Sequence, residues 1–434
     1  MVERQSVCLR QLGASRAGQV QYGRWLGNGR VTVEALVEGV CKGVGVRSQG
    51  RHVLLVEDTT EVNYQAHARR VQGLGTVGNG VDAGLFAHPV LVIDAQEEAC
   101  LGLAHIHLWQ RTQGKAKNHR ALPIEEKESY RWVEAIERAR GRLQGASQMT
   151  VVADREGDIY EMWSRLPDQR TQLLIRACRD RNVEPAPGGH TGLYAWLQAQ
   201  PLRGQYTLAV PASARRSAHD ARMQVRFGRI RIRRPLHCSD AHAPQGLDLW
   251  ALEVREEAAS VAQGDEPVHW RLLTTHRLEN VEQALQCVHW YCQRWHIEQT
   301  FRTLKRQGLD IESSLVEQAP RLEKLVVMAL SAATHTMQLT LARQGNSARP
   351  ATDCFAPGDA GLLEHVGASL EGKTLKQKNP HPAHSLAWAA WIVARLGGWM
   401  GYASERKPGP LTMLHGLQAL ARIRTGWELA RATG

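Results

Sequence analysis

None of the eight cysteines lies in a Cys-x-x-Cys pair, and no Cys/His run has zinc-finger spacing. A zinc module and a thioredoxin-like redox centre are therefore excluded, and the cysteines read as reduced, mostly buried thiols of a cytosolic protein. The N-terminus carries Glu3, Arg4 and Arg10 and lacks the apolar core of a signal peptide. No uninterrupted apolar run is wide enough for a membrane. The longest, Leu325 to Leu341, includes Ser331, Thr334, His335, Thr336 and Gln338, which fits a buried helix. Internal repeats are absent. Acidic residues are in deficit, 43 against 54 Lys plus Arg, giving a net charge of +11. Such a balance favours a polyanionic partner, nucleic acid before anionic membrane. What is present is ordinary for a globular chain: 43% hydrophobic and 22% charged residues over 434 positions, enough for about two to four domains.

The first 50 residues are basic and helical in pattern, interrupted by Gly-Asn-Gly at 27–29. Short β-like runs follow at His52–Glu57, Leu85–Asp94 and Cys100–Gln110, then a helical pattern at Ile124–Leu143. Met149–Ala153 reads as a strand, Ile159–Leu166 as a helix and Leu173–Cys178 as a strand, which together predict a mixed α/β layer. Residues near 180–270 turn β-rich, and helix returns from Val281 onward. Residues 344–360 read as a linker. Gly73-Leu-Gly75-Thr-Val-Gly78 matches a dinucleotide-binding glycine pattern, but no apolar strand precedes it and no good helix start follows.

The densest chemistry lies in Tyr291-Cys-Gln-Arg294-Trp-His-Ile-Glu298-Gln-Thr-Phe-Arg-Thr-Leu-Lys305. On one straight helix, Tyr291, Arg294, Glu298 and Lys305 would fall within an arc of about 60°. A carboxylate between two cations and a phenol suits a place where a metal and a phosphate meet; a solvated face of ion pairs is the plain alternative. Two further carboxylates, Asp58 and Asp154, each end an apolar run, where open α/β sheets bind ligands. If those strands are neighbours, the two aspartates converge, and Glu298 completes a three-carboxylate set suited to Mg²⁺. Glu57 competes with Asp58 for this role, and Glu156 and Asp158 compete with Asp154. Strand-end aspartates also serve as simple turn or helix caps.

Together these segments resemble the DDE transposases of bacterial insertion sequences, closest to the insertion-sequence-four family and its transposon-five transposase group. Glu57-Asp-Thr-Thr60 resembles the first acidic motif and Ala153-Asp-Arg-Glu-Gly-Asp158 the second, while Tyr291, Arg294, Glu298 and Lys305 have the spacing of the family's Tyr-Arg-Glu-Lys motif. Trp270 lies where the group keeps a tryptophan that stacks on a flipped base, and Trp391 to Trp399 resembles another shared segment. The resemblance implies an α/β fold with an RNase H-like mixed-sheet core, a β-rich insertion and a helical C-terminal region. It implies 1–50 as a shortened helical DNA-binding region, 51–180 and 276–345 as the two parts of the core, 181–275 as the insertion and 346–434 as a dimerisation region. It further implies two Mg²⁺ ions, replaceable by Mn²⁺, held by Asp58, Asp154 and Glu298, with strand cleavage, hairpin formation and strand transfer as the chemistry. Tyr291, Arg294, Lys305, Trp270, Arg302 and Arg24 would contact DNA. The partners would be transposon-end and target duplexes and a second copy of the chain, in a bacterial cytoplasm at the nucleoid.

Most of the helical segment that the group carries ahead of the first aspartate has no counterpart, although Tyr22-Gly-Arg24-Trp25 resembles its later part. An N-terminally truncated inhibitor that pairs with full-length enzyme is accordingly the alternative expectation. A stand-alone nuclease would use the same carboxylates without needing Trp270. Eight arginines between Arg215 and Arg234 face a single acid, Asp220. The alternation Arg229-Ile-Arg231-Ile-Arg233 puts three on one strand face, read as a DNA-backbone contact surface.

Overall fold

The computed structural model describes all residues except 112–121, 185–191, 211, 213–216, 239, 241, 307, 346, 403–404 and 434. Its centre is one sheet of eleven strands: β1 (His52–Glu57), β2 (Thr60–Asn63), β3 (Gly75–Thr76), β4 (Ala83–Asp94), β5 (Cys100–Trp109), β6 (Gln148–Ala153), β7 (Thr171–Arg176), β8 (Gly204–Val210), β9 (His219–Arg233), β10 (Gly246–Glu256) and β11 (His269–Thr274). Across the sheet the order is β5-β4-β1-β6-β7-β11-β10-β9-β8. β4 is antiparallel to both β5 and β1, whereas β1, β6 and β7 run parallel. This is the mixed sheet of an RNase H-like core. β2 continues the line of β1 against the same partner: Glu57 faces Val90 and Thr60 faces Ala87 in one unbroken register. The β-rich segment adds its strands to this sheet through β11, which pairs antiparallel with β7.

Alternation along the strands decides which layer each side chain joins. Leu54, Val56, Val152 and Leu174 face one core, shared with Tyr291, Ile297 and the long helix Ala319–Ala342. Val53, Leu55, Val151, Ala153 and Ile175 face the other, packed on Trp132, Val133 and Ile136 of the helix Tyr130–Arg142. The buried face of strand β9 changes at Gly228 while its register continues: Val225 and Phe227 enter the first core, Ile230 and Ile232 the second. A third cluster joins the helices Leu386–Leu396 and Pro410–Thr433.

Helix Ala319–Ala342 has the length and apolarity of a membrane span, but 83% of its apolar window is buried inside the protein. The hydroxyls of Thr334, Thr336 and Thr340 are satisfied by carbonyls one turn back, at 2.8–3.1 Å. Lys324, also buried, donates to the carbonyls of Leu26 and Asn28, pinning the N-terminal helices to this core helix.

The segment from Tyr291 to Lys305 is not one straight helix. One helix ends at Cys292 and the next runs Trp295–Lys305. Between them, Arg294, His296 and Ile297 donate to carbonyls three residues back, at 3.1–3.2 Å, a tightened turn. Packing requires it. Tyr291 and Ile297 sit in the same core, yet on a straight helix they would point about 120° apart. The four motif residues are thus divided between two helices, with Tyr291 on the first and Glu298 and Lys305 on the second.

Candidate functional site

β1 and β6 pair in parallel up to Val56 and Val152, so Asp58 and Asp154 lie two residues further on, side by side at the same edge of the sheet. The register also settles their direction. Asp58 follows Leu54 and Val56 in parity, and Asp154 follows Val152, so both face the layer that carries Tyr291 and Ile297. Glu57 has the opposite parity and is fully buried in the other layer against His88. Glu156 turns away to Arg131, 2.8 Å distant. Asp158 is buried with its oxygens occupied by the Cys178 N–H at 2.8 Å, the Trp163 indole at 3.1 Å and the Arg181 guanidinium at 2.9 and 3.1 Å. The competing carboxylates thus have other partners.

Glu298 lies in the first turn of its helix, where the helix dipole favours an anion. Arg294, which opens that helix, forms one ion pair with Asp58, at 2.9 Å, and a second with Glu298. Each aspartate gives one oxygen to its own turn: Thr59 N–H donates to Asp58 Oδ1 and Glu156 N–H to Asp154 Oδ1, both at 2.8 Å. Burial, then the neighbouring Asp154, push the Asp58 carboxyl up to about 7, with Glu298 adding to the rise; Arg294 and the Thr59 N–H oppose it. This crowding of negative charge is what a cation would relieve. Among the described residues, no three His, Cys, Asp or Glu side chains are grouped closely enough to hold a metal ion. The guanidinium of Arg294 stands between two of the carboxylates instead.

The remaining expected residues divide. Trp270, half-buried on β11, lies beside Tyr291 with ring centroids 5.9 Å apart. Burial raises the Tyr291 phenol, and Arg294 and Arg176 partly counter that. Lys305 sits two turns beyond Glu298 and reaches Glu312, 3.7 Å away. Arg302 is exposed and stacked over Trp295 at 5.3 Å. Arg24 is exposed on the helix Arg16–Leu26, apart from the carboxylates.

Two residues at the site carry no sequence signal. Arg176 follows the last position of β7 paired with β6, Ile175 opposite Ala153, which puts it next to Asp154, and it also reaches Tyr291. Arg131 is an ordinary charge on an amphipathic helix until the fold brings it to Thr59. Of the arginine-rich segment, Arg215 and Arg216 lie outside the described residues. Arg229, Arg231 and Arg233 do share a face, but Arg222 and Arg226 lie on the other. Several are paired locally: Arg222 with Glu257, Arg229 with Asp248, and Arg231 with both Glu184 and Asp248. Three of the six described arginines of this segment are thus already ion-paired.

Sheet and acidic edge together define an RNase H-like core with carboxylates gathered at the ends of its parallel strands. Residues 128–334, just under half of the chain, match the family model described as a transposase DDE domain. The matched span holds Asp154, Trp270, Tyr291, Arg294, Glu298 and Lys305 and starts after Asp58. The match supports a DDE transposase, an enzyme acting on DNA, from a family that generally uses divalent metal ions.

Proposed function

We propose that the chain catalyses cut-and-paste transposition of an insertion sequence, as the transposon-five transposase group does. The observation that carries this reading is the position of Arg294, a cation drawn into the gap between Asp58 and Glu298 at the strand ends where Asp154 also lies. The donor set is of the kind Mg²⁺ takes, with Mn²⁺ as a substitute: hard carboxylate oxygens at adjoining strand ends. Asp58, Asp154 and Glu298 would hold two such ions once Arg294 withdraws. Bound there, the ions would neutralise the scissile phosphate and activate the attacking oxygen.

The chain's own residues would do the rest. Arg294, released from the carboxylates, and Lys305 would hold phosphates beside the cut, and Arg176 would add a cation at the Tyr291 corner. Trp270 would stack on a base turned out as the hairpin forms, which offsets part of the few kcal/mol of unstacking. The exposed cations Arg24 and Arg302 would contact end DNA, and two copies would assemble across paired ends. No observation favours the inhibitor reading over this one.

The test is cleavage of DNA carrying the element's own terminal repeats with Mg²⁺, comparing wild type with Glu298→Ala. Wild type should yield hairpin ends and strand-transfer products, and the variant should fall to background while still binding the ends. Undiminished cleavage by the variant, or simple hydrolysis without hairpins by the wild type, would overturn the reading.

A further inference from the structure

Behind the acidic edge, on the sheet face away from Glu298, one guanidinium joins the two aspartate turns. Arg131 Nε donates to Thr59 Oγ1 at 3.0 Å, and Nη2 donates to Glu156 Oε2 at 2.8 Å. These are the two residues whose backbone N–H groups hold Asp58 Oδ1 and Asp154 Oδ1. The connection therefore runs without a gap from Asp58 through Thr59, Arg131 and Glu156 to Asp154. Arg131 is itself fixed: Nη1 donates to the Glu128 carbonyl at 3.0 Å, and the guanidinium lies 5.0 Å from the Trp109 ring and 5.5 Å from that of Trp132.

Thr59 is held from its other side by a fully buried pair. His88 Nδ1 lies 2.9 Å from Thr59 Oγ1, and His88 Nε2 lies 3.1 Å from Glu57 Oε2. The Thr59 hydroxyl, which accepts from Arg131, is thus tied on its other side to His88, and His88 in turn to Glu57.

We infer that Arg131 is a positioning residue for the carboxylate site: acting through Thr59 and Glu156, with His88 and Glu57 behind, it sets Asp58 relative to Asp154. It touches neither carboxylate. A guanidinium suits the task because its planar fork serves several acceptors at fixed angles, which an ammonium cannot. The inference rests on the reading of Asp58, Asp154 and Glu298 as metal ligands, whose outer partners tune affinity by about ten- to a hundredfold.

Mn²⁺ binding to the full chain without DNA, followed by electron paramagnetic resonance, tests it. Arg131→Gln and Thr59→Val should each weaken Mn²⁺ binding about tenfold, and the double variant should lose no more than either alone. Arg131→Lys, which keeps the charge but not the fork, should behave like Arg131→Gln. End-DNA affinity and melting temperature should stay near wild type in Thr59→Val, which separates orientation from folding. Wild-type Mn²⁺ affinity in Thr59→Val, full recovery in Arg131→Lys, or multiplicative losses in the double variant would each overturn the inference. Wild-type Mn²⁺ affinity in Glu298→Gln would instead overturn the metal-site reading, and the inference with it.

Discussion

Asp58 is where burial and like charge meet. In the folded chain its carboxyl is held up to about 7, against an ordinary value of 3.8. Between those two values the folded state binds the proton that the unfolded chain has released. This group's contribution to stability is therefore fully present below about pH 4 and is lost as pH rises through 7. A divalent cation requires the ionised carboxylate, so metal binding must expel that proton and strengthens with pH. Thermal melts of the protein with and without Mg²⁺ should show a larger stabilisation at pH 8 than at pH 5. A metal-induced shift that is the same at both would remove Asp58 from the ligand set.

The turn after β6 holds two aspartates four residues apart with opposite surroundings. It closes tightly on the strand: a Cβ on Gly157 would lie 2.7 Å from the Ala153 Cβ and 3.2 Å from the Trp132 ring. Asp154 faces the open edge near Asp58, whereas Asp158 is sealed under the turn with Arg181. Asp158→Asn should cost about 3–5 kcal/mol, because it leaves a buried guanidinium without its charge partner. Asp154→Asn should abolish cleavage yet leave the melting temperature unchanged or raised, since it removes a like charge beside Asp58. Denaturant melts run beside cleavage assays check this, and equal destabilisation by the two changes would contradict it. Strand parity made much of this element readable in advance: the apolar runs before Asp58 and Asp154 are regular, and their lengths place both carboxylates just past a strand end. Which carboxylate faced which layer awaited the pairing of β1 with β6. The break at Gln293–Arg294 left no mark, because neither residue is Gly or Pro and both keep helical backbone angles; the demand comes from burying Tyr291 and Ile297 together. Arg131 and Arg176 were invisible for the same reason, since a lone arginine in a helix or strand shows nothing of the carboxylates that the fold brings to it.

Over the whole molecule, a net charge of +11 predicts DNA affinity without saying which cations make the contacts. The ion pairs narrow the choice. Arg222, Arg229 and Arg231 face carboxylates on neighbouring strands and loops. Arg24 and Arg302 are exposed and have no carboxylate partner among the described residues. They sit on separate elements that the core helix Ala319–Ala342 connects, through Lys324 to the N-terminal helices and by direct packing to the helix bearing Glu298. A DNA end held by both would bind the N-terminal region and the catalytic edge at once. Each phosphate contact releases counterions and adds about 0.9 to the slope of log affinity against log salt concentration. Arg24→Ala and Arg302→Ala should therefore each lower the magnitude of that slope by about one on terminal-repeat duplexes, while Arg231→Ala should leave it nearly unchanged because that guanidinium is already neutralised. Fluorescence anisotropy across a salt series reads all three. A slope that drops for Arg231→Ala and holds for Arg24→Ala would move the DNA from the N-terminal helices to the β9 strand.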